Sequence, residues 1–98
     1  MYQSIILPFA KEDIRGAAHW YNKQSQGLGK RFTAEVSESV RFIRQNPKAS
    51  NIRYDQVRTA VLKVFPFIIH YTIDDGEKTV IISAVLHTSR NPKEWKKR

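Results

Sequence analysis

The stretch FPFIIHYTIDDGEKTVIISAVLHTSRNPKEWKKR holds two long apolar runs separated by a short polar turn. Runs this rich in β-branched and aromatic residues form strands, and a hairpin this apolar must bury at least one face against another layer. In the first run Phe67, Ile69, Tyr71 and Ile73 alternate with Ile68, His70 and Thr72, so one face is markedly more apolar. In the second, Val80, Ile82, Ala84 and Leu86 read as the covered face, with Ile81, Ser83, Val85 and His87 on a mixed, partly open one. Asp74-Asp-Gly-Glu77 is the turn, where Gly76 is free to take positive φ. The second run stops at His87-Thr-Ser-Arg90 and gives way to a basic tail, so a His and an Arg emerge where a rigid strand ends. Side chains at such a junction are fixed in position yet reachable by a partner, and the candidate function is placed there.

The preceding residues supply the covering layer. YQSIIL, residues 2–7, is a short strand closed by Pro8, which cannot donate to a ladder and either ends a strand or introduces a helix. Ala10, Ile14, Ala17, Ala18 and Tyr21 follow helical spacing, predicting a helix from about Ala10 to about Gln24. Gly27 and Gly29 interrupt it, with Leu28 between them dropping toward the core. A second helix carries Phe32, Val36, Val40 and Ile43 on one stripe and stops at Asn46-Pro47, because proline disfavours helix in the residue before it. Two helices joined so briefly form an antiparallel hairpin. Strands are predicted over Val57–Val64, Phe67–Asp74 and Thr79–Leu86. The fold class is therefore α+β, β-α-α-β-β-β, a mostly antiparallel sheet with the helical hairpin packed on one face.

At 98 residues and 41% hydrophobic content the chain has room for one core, so residues 1–98 are expected to be a single domain. No window approaches a bilayer span, and Ile5-Ile-Leu7 is too short for a secretory leader, so the protein is expected to be soluble, cytoplasmic and without a membrane partner. The absence of cysteine removes disulfides, thiolate catalysis and Cys-type zinc sites; no metal and no cofactor are expected. Seventeen Lys and Arg against nine Asp and Glu give a net charge of +8, which favours nucleic acid, a nucleoprotein machine or an acidic protein as partner.

The chain resembles the RelE/ParE superfamily, the toxins of bacterial type II toxin-antitoxin systems, also known as the plasmid stabilisation family. The resemblance lies in Asp13-Ile-Arg-Gly-Ala-Ala-His-Trp20-Tyr21, Gly27-Leu-Gly-Lys-Arg-Phe32, Asn46-Pro47, Val57-Arg58, Phe65-Pro-Phe-Ile-Ile-His-Tyr71, and Ala84-Val-Leu-His87-Thr-Ser-Arg90-Asn-Pro92 with Trp95, in that order. It implies a small basic toxin held in a hetero-oligomer by a cognate antitoxin. RelE-like members are mRNA interferases, RNA-binding proteins that cleave mRNA in the ribosome. ParE-like members are gyrase inhibitors that bind DNA gyrase and break no bond themselves. The resemblance implies growth arrest by ribosome-dependent mRNA cleavage, with gyrase inhibition, or retained antitoxin binding without activity, as the alternatives.

A metal-independent endoribonuclease must activate a ribose 2′-OH, stabilise the charged phosphorane and protonate the leaving oxygen. Arg58 matches the family's phosphate-gripping arginine, a task suited to a permanently charged fork; equally, it is an exposed strand arginine paired with a carboxylate. His87 is the candidate proton carrier, or a histidine that closes the strand through a bond to Arg90 or to a carbonyl. Arg90 grips phosphate or an acidic antitoxin residue, or latches the tail to the sheet. Lys63, Arg53, Lys96, Lys97 and Arg98 complete the basic surface for RNA or a protein partner. Trp20 and Tyr21 read as core packing, His19 as solvated, and His70 as a packed or half-exposed strand residue. The closely spaced lysines that RelE-type enzymes carry before the gripping arginine are absent, with Tyr54 and Asp55 in that neighbourhood, and Trp95 is the nearest aromatic to their C-terminal tyrosine. An indole cannot exchange a proton usefully, so His87 would have to replace that group.

Overall fold

The computed structural model describes residues 1–97, with side chains through Trp95. The side chains of Lys96 and Lys97, and the whole of Arg98, lie outside the described residues, so those three candidates have no structural account. The elements run β1 (Gln3–Ile6), α1 (Pro8–Gln24), α2 (Leu28–Gln45), β2 (Ile52–Tyr54), β3 (Val57–Val61), β4 (Phe67–Asp74), β5 (Thr79–His87) and a 3₁₀ turn, Pro92–Lys97. One five-stranded sheet has the order β1-β5-β4-β3-β2. β1 pairs parallel with β5, Gln3 opposite Thr79 through Ile6 opposite Ile82, and all other pairings are antiparallel. The α+β architecture with a helical hairpin on one face is as expected.

Local chemistry explains each boundary. Pro8 sits at the first position of α1, where its missing N–H would be unbonded anyway, and Leu7 N–H still donates to Ile82 O. Gly27 turns the chain between the helices at φ 86°, a left-handed conformation open to glycine. Gly29 acts differently: a Cβ there would lie 2.4 Å from Ala18 O and 2.8 Å from the Asn22 amide, so its bareness lets α2 press against α1. Its N–H donates to Asn22 Oδ1 at 2.8 Å. The stripe Phe32, Val36, Val40 and Ile43 is buried, as its spacing predicts. It meets Ile69, Tyr71, Val80, Ile82 and Val85 of the sheet in one core. Tyr21, Phe32, Phe65 and Phe67 pack as an aromatic cluster with centroids 4.8–6.2 Å apart, each such edge contact adding about 0.5–1.5 kcal/mol to simple burial.

Four details differ from the sequence expectation. Val57–Val64 is not one strand: β3 stops at Val61, and Lys63 and Val64 lie in a turn whose backbone N–H groups donate to the Glu35 carboxylate. β2 is an added edge strand, joined to β3 through Asp55 and Gln56 at φ 42° and 68°. In the β4–β5 turn the positive φ falls on Lys78, at 49°, and not on Gly76; the Asp74 carboxylate accepts from Glu77 N–H and holds the turn. Finally, the β4–β5 ladder slips between His70 and Tyr71, which pair with Ala84 and Ile82 and leave Ser83 as a bulge. An extra residue reverses the alternation beyond it. Val80, Ile82 and Val85 therefore face the helices, whereas Ala84 and Leu86 face away and pack with Trp95.

Candidate functional site

The bulge decides where His87 points. Past Ser83 it shares a face with Phe67, its register partner, and so lies on the helix side of the sheet; the ring centroids are 5.1 Å apart at 80°. There His87 and Arg90 border a cleft of about 480 Å³ lined also by Asp13, Trp20, Pro66 and Phe67. Four parts of the chain build it, with Phe67 supplied by β4. β5 delivers His87, α1 delivers Asp13 and Trp20, and the turn after β5 delivers Arg90, whose N–H donates to His87 O at 3.0 Å. The cleft exists because β1 ends at Ile6, leaving the second half of β5 without a strand on its edge opposite β4. Asp13 reaches across that gap, its carboxylate accepting from Val85 N–H at 3.0 Å.

The His87 ring is exposed and oriented. Its Nδ1 accepts from Ser89 N–H at 3.0 Å and lies 2.8 Å from Ser89 Oγ, which places the proton of a neutral ring on Nε2 and leaves that nitrogen for an outside partner. Trp20 is 56% exposed, although its neighbour Tyr21 is packed into the core. The cleft thus combines an indole, the Phe67 ring, an imidazole, a guanidinium and the Asp13 carboxylate: an apolar floor with a polar rim that carries both signs of charge. Trp20 reads as packing in the sequence because it adjoins the stripe residue Tyr21; one step around a helix is about 100°, enough to turn it to solvent.

The other candidates lie elsewhere. Arg58 pairs in register with Tyr71, also on the helix side, but four residues along β4 from the Phe67–His87 pair. At about 3.3 Å per residue and 4.8 Å between strands, its Cα is roughly 16 Å from that of His87. Its guanidinium donates to Ser50 O and helps hold the Asp75 carboxyl below the usual carboxylate range, after the stronger effects of the Tyr2 hydroxyl and Lys48. Lys63 is exposed beside a groove between α2 and β3. Arg53 is on β2, with its guanidinium carbon 5.5 Å from the Trp95 ring centroid.

The face away from the helices holds a second cluster, in which Trp95 buries its ring. His70 is fully buried, its Nδ1 3.0 Å from the Tyr54 hydroxyl, and Trp95 lies edge-on to it at 4.7 Å. Burial, then the negative charge of Asp55, raises the Tyr54 phenol above its ordinary pKa, so it stays protonated at neutral pH. Among the described residues no group of three metal-binding side chains occurs, and no helix is long and apolar enough to cross a membrane.

Comparison with known proteins gives a consistent answer. No curated protein matches the chain. Among solved structures, the chain is similar to one from the chromosomal ParDE toxin-antitoxin system of P. aeruginosa, with TM-score 0.79 and 18% identity over 91% of this chain and 98% of that one. It is likewise similar to a chain of the E. coli RelBE toxin-antitoxin complex, with TM-score 0.70 and 15% identity over 92% and 100%. For the isolated E. coli RelE toxin the TM-score is 0.68, with 14% identity over 99% and 95%. At these identities the likeness establishes the fold. Residues 5–92 match the family described as ParE toxin of type II toxin-antitoxin system, parDE, and the chain belongs to that family, within the RelE/ParE superfamily.

Proposed function

We propose that this chain is a ParE-like toxin that arrests growth in the cytoplasm by binding DNA gyrase, with no chemistry of its own, and that an antitoxin neutralises it in a hetero-oligomer. The antitoxin partner is supported by similar chains solved within ParDE and RelBE systems. The observation that carries the gyrase reading is the separation of the cationic candidates. Cleavage of RNA needs a phosphate grip and a proton carrier within reach of one ribose, yet Arg58, the residue that matches the family's gripping arginine, is bonded to Ser50 O with its Cα roughly 16 Å from that of His87, and Arg90 alone of the described cationic candidates lies beside that histidine. What does converge, Trp20, Phe67, His87 and Arg90, suits recognition of a surface: an aromatic anchor in an apolar hollow with a polar rim.

The test sets two assays against each other. Purified toxin is expected to inhibit supercoiling by gyrase while mRNA in a reconstituted translation reaction stays intact, and Arg90→Ala and Trp20→Ala are expected to weaken the inhibition about tenfold or more. Codon-biased mRNA fragments that disappear in His87→Ala would overturn this reading and restore the ribosomal one. Inactivity in both assays with retained antitoxin binding would make the chain a degenerate toxin.

A further inference from the structure

Just past the end of β5, a serine hydroxyl is held on a basic nitrogen. Ser89 and His87 are both exposed, and Ser89 Oγ lies 2.8 Å from His87 Nδ1. The lone pair of that nitrogen is turned toward Ser89, because it accepts from the Ser89 N–H at 3.0 Å. The hydroxyl proton therefore has a base to point at. Thr33, Thr79 and Ser83 are engaged differently, since each donates to a backbone carbonyl, which cannot take a proton away. A nucleophile within hydrogen-bond reach of a base that a further contact orients is the arrangement of an activated alcohol. Here the orienting contact is the Phe67 ring, edge-on to the imidazole.

The backbone fixes this pair in place. Thr88 N–H donates to Pro66 O at 2.9 Å and Arg90 N–H to His87 O at 3.0 Å, so the turn after β5 is tied at both ends. Arg90 is exposed, borders the cleft with His87 and takes part in neither ion pair found among the described residues. A planar, permanently charged fork one residue from the hydroxyl suits an incoming group with several anionic oxygens, a phosphoryl group, better than a neutral acyl group. Asp13 on the cleft wall and Glu94 beside Lys93 carry the opposite sign. Net charge thus has no part in this choice, which rests on one guanidinium adjoining one activated hydroxyl.

We propose that Ser89 is a phosphoryl-acceptor site, with His87 as its base and Arg90 as the holder of the transferred group, and that the donor is an acyl phosphate. Ser89 Oγ bonds to phosphorus while its proton passes to His87 Nδ1. The bond from phosphorus to the acyl oxygen breaks, the carboxylate leaves with that electron pair, and nothing is oxidised or reduced. The product is a phosphate of about −1.5 to −2 charge beside an imidazolium, on the rim of the cleft. The site goes beyond the reading of the cleft as a recognition surface and does not depend on it, because neither gyrase nor an antitoxin enters the test.

The full chain is incubated with acetyl phosphate, and the adduct is measured by intact mass and located by peptide mapping. One phosphoryl group per chain is expected, on Ser89, and none on Ser89→Ala. His87→Gln keeps an acceptor for the Ser89 N–H but removes the base, and is expected to slow the reaction about a hundredfold. Arg90→Ala is expected to slow it about tenfold, and Thr88→Val, which removes the neighbouring hydroxyl, to leave it unchanged. The rate for the parent should rise with pH and level off once the imidazole is neutral, an inflection that His87→Gln lacks. If His87→Gln does not fold by circular dichroism, the pH profile of the parent and the Arg90→Ala rate decide. Acetylated lysines without phosphorylated Ser89, equal labelling of Thr88, a His87→Gln rate equal to that of the parent, or no adduct at all would overturn the proposal.

Discussion

Replacing Gly29 and Gly16 by alanine, one at a time, is expected to move stability in opposite directions. Both lie in helices, and alanine is intrinsically favoured over glycine there by about 0.8–1 kcal/mol. At Gly16 nothing lies within 4 Å of the added Cβ, so that gain is realised in full. At Gly29 the Cβ would meet Ala18 O at 2.4 Å and the Asn22 amide at 2.8 Å. The backbone oxygen moves only if the two helices part, an overpacking penalty of about 1–3 kcal/mol. Displacing Asn22 also loses its 2.8 Å bond from Gly29 N–H, about 1 kcal/mol more. Net of propensity, Gly29→Ala is expected to destabilise by about 1–3 kcal/mol. In a domain of this size each kcal/mol shifts Tm by about 4–8 °C. Thermal unfolding followed by circular dichroism should therefore place the two variants on either side of the parent, Gly16→Ala above it by about 4–8 °C and Gly29→Ala below it by at least as much. A Gly29→Ala protein as stable as the parent would refute the close approach of α1 and α2.

Two further outcomes follow from the site and its surroundings. Asp13→Ala leaves the Val85 N–H without its carboxylate acceptor and is expected to destabilise by about 1–3 kcal/mol, seen as faster hydrogen exchange at Val85 and at the amides after it. Asp75 has its carboxyl held below the usual range by the Tyr2 hydroxyl first and by Lys48 next. Its contribution to stability is thus complete above the ordinary carboxylate pKa of about 4 and fades as pH falls through the lowered folded value. Asp75→Asn should trail the parent in urea midpoint at neutral pH and converge with it in acid; a gap that widens on acidification would contradict the linkage.

Most of the layer structure is legible in the residues. Phe32, Val36, Val40 and Ile43 announce their helix face, and Phe67, Ile69, Tyr71 and Ile73 their strand face, because burial on one side imposes the period. β2 is not legible: three residues, Ile52-Arg-Tyr, leave no room for a period, and its turn places Asp55 and Gln56 at positive φ without the glycine that usually marks such a hairpin. The bulge at Ser83 is hidden for the opposite reason. Val80-Ile-Ile-Ser-Ala-Val-Leu86 is apolar on both sides of the slip, so either register buries hydrophobic groups and pairing with β4 alone decides. That one-residue slip moves His87 from the open face to the cleft beside Trp20. His70 is unmarked because a lone strand histidine does not disclose the Tyr54 hydroxyl and Trp95 ring waiting across the fold.

The parallel pairing of β1 with β5 has a consequence for the order in which the molecule is made. Gln3 can take its place only after Thr79 and its neighbours exist, so the earliest-translated strand must wait for the last. Closing so large a loop is entropically slow and cannot begin on a nascent chain still lacking its final hairpin. Since the same late segment carries His87 and Arg90, a half-synthesised chain has neither a completed sheet nor the cleft that those two residues border.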